Sequence, residues 1–210
     1  MPAARHTKEE AGPTKGERTA ARILDAAEVV FAEAGFQGAS LREIARRAEI
    51  QQPGLYNYFA SKRDLYAAVL DRALTPMATA MSEAMRDATS PRALERLPAV
   101  MTDLLLKHPQ MAALFQQALQ DAEAPGQELM RDWLDRLLVQ GMDTARTGTR
   151  GPVDREQLAI GVVAMFNVTT GYFLSQRVLE SLGVGALDDP ANVARQKALV
   201  ERVGRAAMRR

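Results

Sequence analysis

Apolar positions recur at three- and four-residue spacing through most of the chain, and the runs break at Pro, Gly and capping residues. Thr14 and Glu17 have capping-box spacing, with a hydroxyl for one free helix N–H and a carboxylate for another. Ile23, Ala27, Val30, Phe31 and Ala34 follow at helical spacing, and Gly35 suits the left-handed residue that ends a helix. Ser40 and Glu43 repeat the capping pattern ahead of Leu41, Ile44, Ala45 and Ala48, which predicts a second helix of about two and a half turns. A third short segment covers residues 52–59, with Pro53 in its first turn, where a missing N–H costs nothing. Ser61 and Asp64 open a fourth helix carrying Leu65, Ala68, Val69 and Leu74, which Pro76 is expected to kink or end. Further breaks are predicted at Pro91, 107–109, 124–126, 147–152 and 183–190, with helical patterns between them. Strand alternation, repeats and low-complexity tracts are absent from the sequence. The expected fold class is all-α.

Composition narrows the chemistry without choosing a partner. The 210 residues allow one large domain or a small one joined to a larger one. With no cysteine, a disulfide scaffold, a thiolate metal site and a cysteine nucleophile are excluded. Residues 1–13 mix Pro, Gly, Thr and charges without periodicity, so a disordered arm without the apolar core of a signal peptide is expected there. The longest apolar stretch, residues 158–174, is short for a membrane span and is interrupted by Asn167, Thr169 and Thr170. A buried helix in a soluble cytoplasmic protein is the expectation. His6 lies in the arm and His108 at a helix boundary before Pro109, where capping is expected rather than catalysis or metal binding. No carboxylate pair, catalytic triad, metal-spaced cluster or phosphate-cradling glycine loop stands out, so neither enzyme activity nor a cofactor is expected.

The informative chemistry lies between Ser40 and Lys62. Two short helices joined by a tight turn, with a longer helix before them, describe a helix-turn-helix unit. In the second of them Leu55 and Phe59 are four apart and face inward, leaving Gln51, Gln52, Gly54, Tyr56, Asn57 and Tyr58 to point out. A merely solvated face would carry Lys and Glu. Neutral amides instead suit adenine edges, and Tyr hydroxyls suit phosphates. Gly54 permits close backbone approach to a duplex, while Arg42 and Lys62 are placed to clamp flanking phosphates. Residues 38–66 hold five basic and three acidic side chains, a local excess of +2. That suffices for specific contacts but not for strong nonspecific binding.

Residues 17–66 resemble the DNA-binding domain of the tetracycline-repressor (TetR) family of bacterial transcription regulators. The resemblance is carried by Ile23-Leu24-Asp25-Ala26-Ala27, Phe31, Gly35-Phe36, the run from Ser40 to Ala45, and above all the run from Leu55 to Leu65. It implies base-edge contacts at Gln52 and Pro53, and at Arg42 as in some members. It further implies phosphate or thymine-methyl contacts at Tyr56, Asn57 and Tyr58, and a phosphate-binding lysine at Lys62. Ser40, Gln51 and Gly54 complete the expected DNA-binding set. Three positions depart from the family pattern. Glu49 stands where glycine is usual in the turn, Gln51 replaces an N-cap Ser or Thr, and Gly54 stands where a hydroxyl often bonds a phosphate. Glu49 must then adopt a conformation that glycine takes more easily. These departures and the modest local charge leave open the alternative of a TetR-like fold working as an interaction or ligand-binding module.

The expected domains are a helix-turn-helix domain at 14–66 and a helical effector-binding and dimerisation domain at 67–210. The latter carries 17 basic and 17 acidic side chains, so it is not a second polyanion site. A helix over residues 153–182 is apolar nearly all round in its first half, and a last helix after Pro190 aligns Val193, Leu199, Val200, Val203 and Ala206. Helices apolar on more than one face need more than one neighbour, and a second subunit can supply it. The resemblance implies the same: a homodimer through the last two helices, reading double-stranded operator DNA as a repressor. It also implies a small-molecule effector, largely apolar, enclosed by Met101, Leu105, Met111, Phe115, Trp133, Leu137, Phe166, Asn167 and Thr170. Asn167 and Thr170 interrupt the most apolar stretch, where buried polar groups need partners. A helical Thr can also bond the carbonyl one turn back. The stripe Met77, Met81 and Met85 fits either an adaptable pocket or plain core.

Overall fold

The computed structural model describes residues 12, 14–86, 96–120, 126–148 and 154–208. Among them every regular element is a helix: α1 (Lys15–Gly38), α2 (Leu41–Arg47), α3 (Gln52–Leu55), α4 (Lys62–Arg86), α5 (Leu97–Lys107), α6 (Gln110–Gln120), α7 (Gly126–Gly148), α8 (Arg155–Phe173), α9 (Gln176–Ser181) and α10 (Pro190–Met208). The all-α reading holds. The arm at 1–13, apart from Gly12, and the break at Pro91 lie outside the described residues, as does the His6 reading.

Helix starts follow the caps. Thr14 Oγ1 accepts from the Glu17 N–H at 3.2 Å while the Glu17 carboxylate accepts from the Thr14 N–H at 2.6 Å, so both halves of the first box form. At α2 only half forms. Ser40 Oγ accepts from the Glu43 N–H at 3.4 Å, but the Glu43 carboxylate turns instead to two arginines. Ser61 Oγ accepts from the Asp64 N–H at 3.1 Å and starts α4.

One apolar core runs from Ile23 in α1 to Phe173 in α8. Its first half is an aromatic knot in which Phe31 and Tyr66 meet edge-on at 4.8 Å and Phe36 lies 5.1 Å from Tyr66. Its second half stacks Phe115 on Trp133 at 6.2 Å, with Phe166 6.0 Å from each. Helix α1 packs on α2, α4 and α6, α4 on α5 and α7, and α10 on α5 and α8. Arg72 of α4 adds two ion pairs to α1, at 2.7 Å to Asp25 and 2.7 Å to Glu28.

Four expectations need correction. Helix α4 runs through Pro76 to Arg86, because Leu70, Ala73 and Leu74 before the proline and Met77, Met81 and Met85 after it are all buried in one stripe. The methionine stripe is therefore core. The anticipated helix over 153–182 is two, α8 and α9, parted at Leu174 and Ser175, whose N–H groups turn back to Gly171 and Tyr172. Its apolar first half is not buried within this chain: Ile160 is 71 % exposed and Val163 is 49 % exposed. Ala34, expected inward, faces solvent, because the chain leaves helical geometry at Gly35 (φ 69°, ψ 176°).

Candidate nucleic-acid interface

Helix α3 is one turn long and cannot stand alone, since helix nucleation is costly. It is held by Leu55, which is fully buried, by Pro53 in its first turn, and by the partly buried Phe59 behind it. Burying the leucine supplies about 1.5–3 kcal/mol. The approach to α3 is a Schellman turn at the end of α2, in which the Ile50 N–H donates to the Ala45 carbonyl at 3.0 Å and the Glu49 N–H to the Arg46 carbonyl at 3.2 Å. That geometry places Glu49 in the left-handed region at φ 56°, as its position in the turn requires.

With that turn and that anchor fixed, Gln51, Gln52, Pro53, Tyr56, Asn57 and Tyr58 all lie on the exposed side of α3 and the turn after it. Tyr56 is 51 % exposed, and none of the five polar side chains has a side-chain hydrogen bond among the described residues. A Cβ at Gly54 would meet nothing within 4 Å, so no packing demand calls for glycine there. Ser40 uses its hydroxyl as the α2 cap and is exposed beside Arg42, whose guanidinium makes no ion pair among the described residues.

The remaining cations are largely committed. Arg46 holds Glu43 at 2.7 Å, and Arg47 holds Glu43 at 2.7 Å and Glu33 at 3.0 Å. Hydrogen bonds first from Arg46 and then from Arg47 pull the Glu43 carboxyl down to a pKa of about 2. Lys62, expected to grip phosphate, donates to the Gln37 carbonyl at 3.1 Å and lies 5.1 Å from the centre of the Phe36 ring. Partial burial lowers its pKa. Two of its three donor hydrogens remain for another acceptor. The face is therefore mostly neutral, with Arg42 and Arg63 as its uncommitted cations among the described residues.

The expected effector set has a different fate. Met101, Leu105, Met111, Phe115, Trp133 and Phe166 are each 5 % exposed or less and belong to the packed core. The Leu137 side chain lies outside the described residues. Thr170 is buried and donates to the Phe166 carbonyl at 2.8 Å, and Asn167 is exposed and donates to the Val163 carbonyl at 2.9 Å. Both also accept from Gln116 Nε2, at 2.8 and 3.2 Å. The Trp133 indole N–H is the exception, buried with no acceptor among the described residues. A cleft of about 450 Å³ does exist, between α7 and the first half of α8, and none of the expected residues whose side chains are described lines it. Its walls are Leu119, Leu134, Leu138, Val162 and Val163, with Gln127, Glu128, Arg131 and Asp135 at the polar side. It comes from α7 positions one step round the helix from Trp133, a register that periodicity alone does not rank. No group of three or more metal-ligating side chains occurs among the described residues, and no helix among them is long and apolar enough to cross a membrane.

Residues 23–69 match the family described as bacterial regulatory proteins, tetR family. Over 80 residues the chain is 39 % identical to the transcriptional activator FasR of Mycolicibacterium smegmatis, covering 38 % of this chain and 36 % of the relative. Over 101 residues it is 31 % identical to the transcriptional repressor NicS of Pseudomonas putida, covering 48 % of each. The matched stretch thus spans half or less of these relatives' length. The whole fold resembles the crystal structure of a TetR-like transcriptional regulator from Rhodococcus sp. RHA1, with a TM-score of 0.69 and 23 % identity over 93 % of this chain and 98 % of that one. These relatives and fold neighbours are transcription regulators rather than enzymes. Residues 23–69 thus match the tetR-family model on a helix-turn-helix, and the fold along the chain's length is the one seen in a TetR-like regulator.

Proposed function

We propose that the chain is a cytoplasmic, sequence-specific DNA-binding regulator that works as a homodimer and represses transcription until a small, largely apolar effector binds its C-terminal half. The observation that carries the proposal is the α3 face, where five neutral hydrogen-bonding side chains are exposed and, among the described residues, have no side-chain partner, beside an arginine that makes no ion pair among them. Side chains left unpaired in this way are suited to a polymer that offers donors, acceptors and phosphates. Gln52 is positioned to read an adenine edge, with Pro53 and Tyr56 beside it for a thymine methyl and a phosphate. In this reading residues 14–66 form the DNA-binding domain and 67–210 the effector and dimerisation domain, with α4 crossing the boundary as one continuous helix.

Dimerisation is supported by α8, where Ile160, Val163 and Val168 are 71 %, 49 % and 38 % exposed along one side, and by Leu199 on α10. Val200 of α10 is buried while Val193 and Val203 are half-buried, so α10 has one face in this chain and another turned out. Two reading helices about 34 Å apart then suit successive turns of the major groove. For the effector, the buried Trp133 N–H, without an acceptor among the described residues, supports a ligand that brings one into the Phe115–Trp133–Phe166 cluster as those rings part.

A gel-shift against the DNA flanking the gene tests the reading. Retardation by the wild type should be sequence-specific and salt-sensitive. Tyr56→Ala should weaken it about 5- to 150-fold, corresponding to 1–3 kcal/mol. The same substitution should leave the melting temperature nearly unchanged, because Tyr56 is 51 % exposed. Equal binding by both proteins would refute the role of this face.

A further inference from the structure

The break at Gly35 leaves a turn of α1 that a distant helix holds. Where a helix ends, its last carbonyls have no intrahelical partner. Ala32 lies in the last turn before Gly35 leaves helical geometry, and Gln117 of α6 donates to its carbonyl at 3.0 Å. The Gln117 side chain lies across Gly35, whose Cβ, if present, would sit 3.8 Å from Gln117 Oε1. The neighbouring Gln116 faces the other way and donates to Asn167 and Thr170 of α8 at 3.2 and 2.8 Å. One turn of α6 thus holds the end of α1 with one amide and the polar pair of α8 with the next.

Gln117 Oε1 adds a second observation. It is buried with no donor among the described residues. Swapping the amide's O and N would set oxygen against the Ala32 carbonyl, so that bond fixes the orientation. A buried acceptor without a donor is a cost that a small shift of α6 against α1 can remove.

We propose that Gln116 and Gln117 form a hydrogen-bonded relay through which α8 and the reading head sense each other, with Gln117 as the positioning residue that sets where α6 holds the end of α1. The proposal rests on the DNA-binding reading above. Coupling between two sites is reciprocal, so operator DNA bound at α3 must act back on α8 by the same factor. DNA itself is then a sufficient probe, and no effector need be known.

The test is amide hydrogen exchange on the full chain with and without a duplex selected from a random pool. In the wild type, saturating duplex should slow exchange in residues 163–170 by about fivefold or more. Gln117→Met removes the latch and the orphaned oxygen together at similar volume. It should keep the melting temperature within about 4 °C, still protect the reading head, and abolish the remote slowing. Gln116→Met should abolish the remote slowing while leaving the end of α1 as protected as before. Remote slowing that survives undiminished in both variants, or wild-type binding without any change in α8, would overturn the relay. A wild type that retains no duplex from the pool would instead sink the DNA-binding reading, and the relay with it.

Discussion

The two ends of the molecule leave different chemistry unsatisfied. The reading head hides its carbon and exposes neutral polar groups, with Leu55 fully buried beneath Gln52, Asn57 and the half-exposed Tyr56. The α8–α10 region does the reverse. Some of its polar side chains are absorbed by the fold, as in the Tyr172 hydroxyl that donates to the Leu187 carbonyl at 2.6 Å, while Ile160 and Leu182 stand 71 % and 70 % exposed. Burial and the nearby Asp188 and Asp189 raise the Tyr172 pKa, in keeping with a hydroxyl that stays protonated as a donor. Since an exposed apolar patch and an exposed set of unpaired amides call for opposite partners, one surface fits another protein surface and the other fits a duplex.

The sharpest way to break this contrast is to give the apolar end a charge. Ile160→Glu places a carboxylate where two copies of α8 are proposed to meet, and burying an unpaired charge costs about 3–5 kcal/mol. Dimer affinity should fall on the order of a thousandfold, read by sedimentation as a shift to the 23.0 kDa monomer. Folding of each chain should persist, because the residue is exposed in the single chain. Unchanged self-association would mean that this stripe is not the interface.

Next in size is a pair of glycines that separates packing from surface. A Cβ at Gly126 would meet Leu70 and would lie 2.9 Å from Tyr66 Cε1 and 3.1 Å from Ala118 Cβ, where α7 seats on α4 and α6. Gly126→Ala should destabilise by about 1–3 kcal/mol through overpacking, lowering the melting temperature by about 2–12 °C. Gly54 has open space around it, so Gly54→Ala should raise stability by up to about 1 kcal/mol through helix propensity. If it weakens operator binding nonetheless, the space belongs to DNA.

Glu43 governs how cationic the head is. Its carboxylate occupies Arg46 and Arg47, and its folded pKa of about 2 lies below the ordinary carboxylate value. A depressed carboxylate contributes stability above its unfolded pKa and loses it as pH falls towards 2, so acid should loosen α2 across that window. Glu43→Gln should remove that part of the acid sensitivity, seen as a flatter melting-temperature profile between pH 4.5 and 2. It also frees Arg46 and leaves Arg47 with Glu33 as its one carboxylate among the described residues, so the slope of log K against log salt should steepen by roughly 0.9 for each phosphate they gain. An unchanged slope would show that these arginines point away from the duplex.

Local features were legible from the sequence, and long-range ones were not. The caps at Thr14, Ser40 and Ser61, the inward Leu55 and the left-handed need at Glu49 each depend on residues within a few positions, and each appears in the structure. The halved capping box at Ser40 shows the limit, because two arginines outbid the cap for the Glu43 carboxylate. Pro76 looked like a helix end because its rule is local, whereas the buried methionines that carry α4 past it answer to packing. Leu174 and Ser175 hid a break inside unbroken apolar spacing. Gln116 and Gln117 escaped notice because their partners lie 51 to 85 positions away. Their one available signal was two adjacent amides within residues 112–119, which are otherwise Ala, Leu and Phe.

The smallest effect tests the comparison at its most local point, the turn between α2 and α3. Glu49 sits at φ 56° as the left-handed residue of the Schellman turn, a conformation that costs a residue with a Cβ about 1–2 kcal/mol and glycine little. Its carboxylate returns little of that, for the Arg22 pair is 3.5 Å long and its side chains are 48 % and 83 % exposed. Glu49→Gly should therefore stabilise the chain by about 1 kcal/mol, a rise of about 2–4 °C in melting temperature. It also removes a negative charge one turn ahead of the reading helix, so duplex affinity should rise modestly and most visibly at low salt. Gains in both stability and affinity on Glu49→Gly would show a turn that restrains its own grip on DNA, as suits a head that must let go. Tighter binding by Glu49→Gly with a weaker remote response in α8 would join that restraint to the relay. A variant that binds no better would reduce the glutamate to a local strain with no bearing on the duplex.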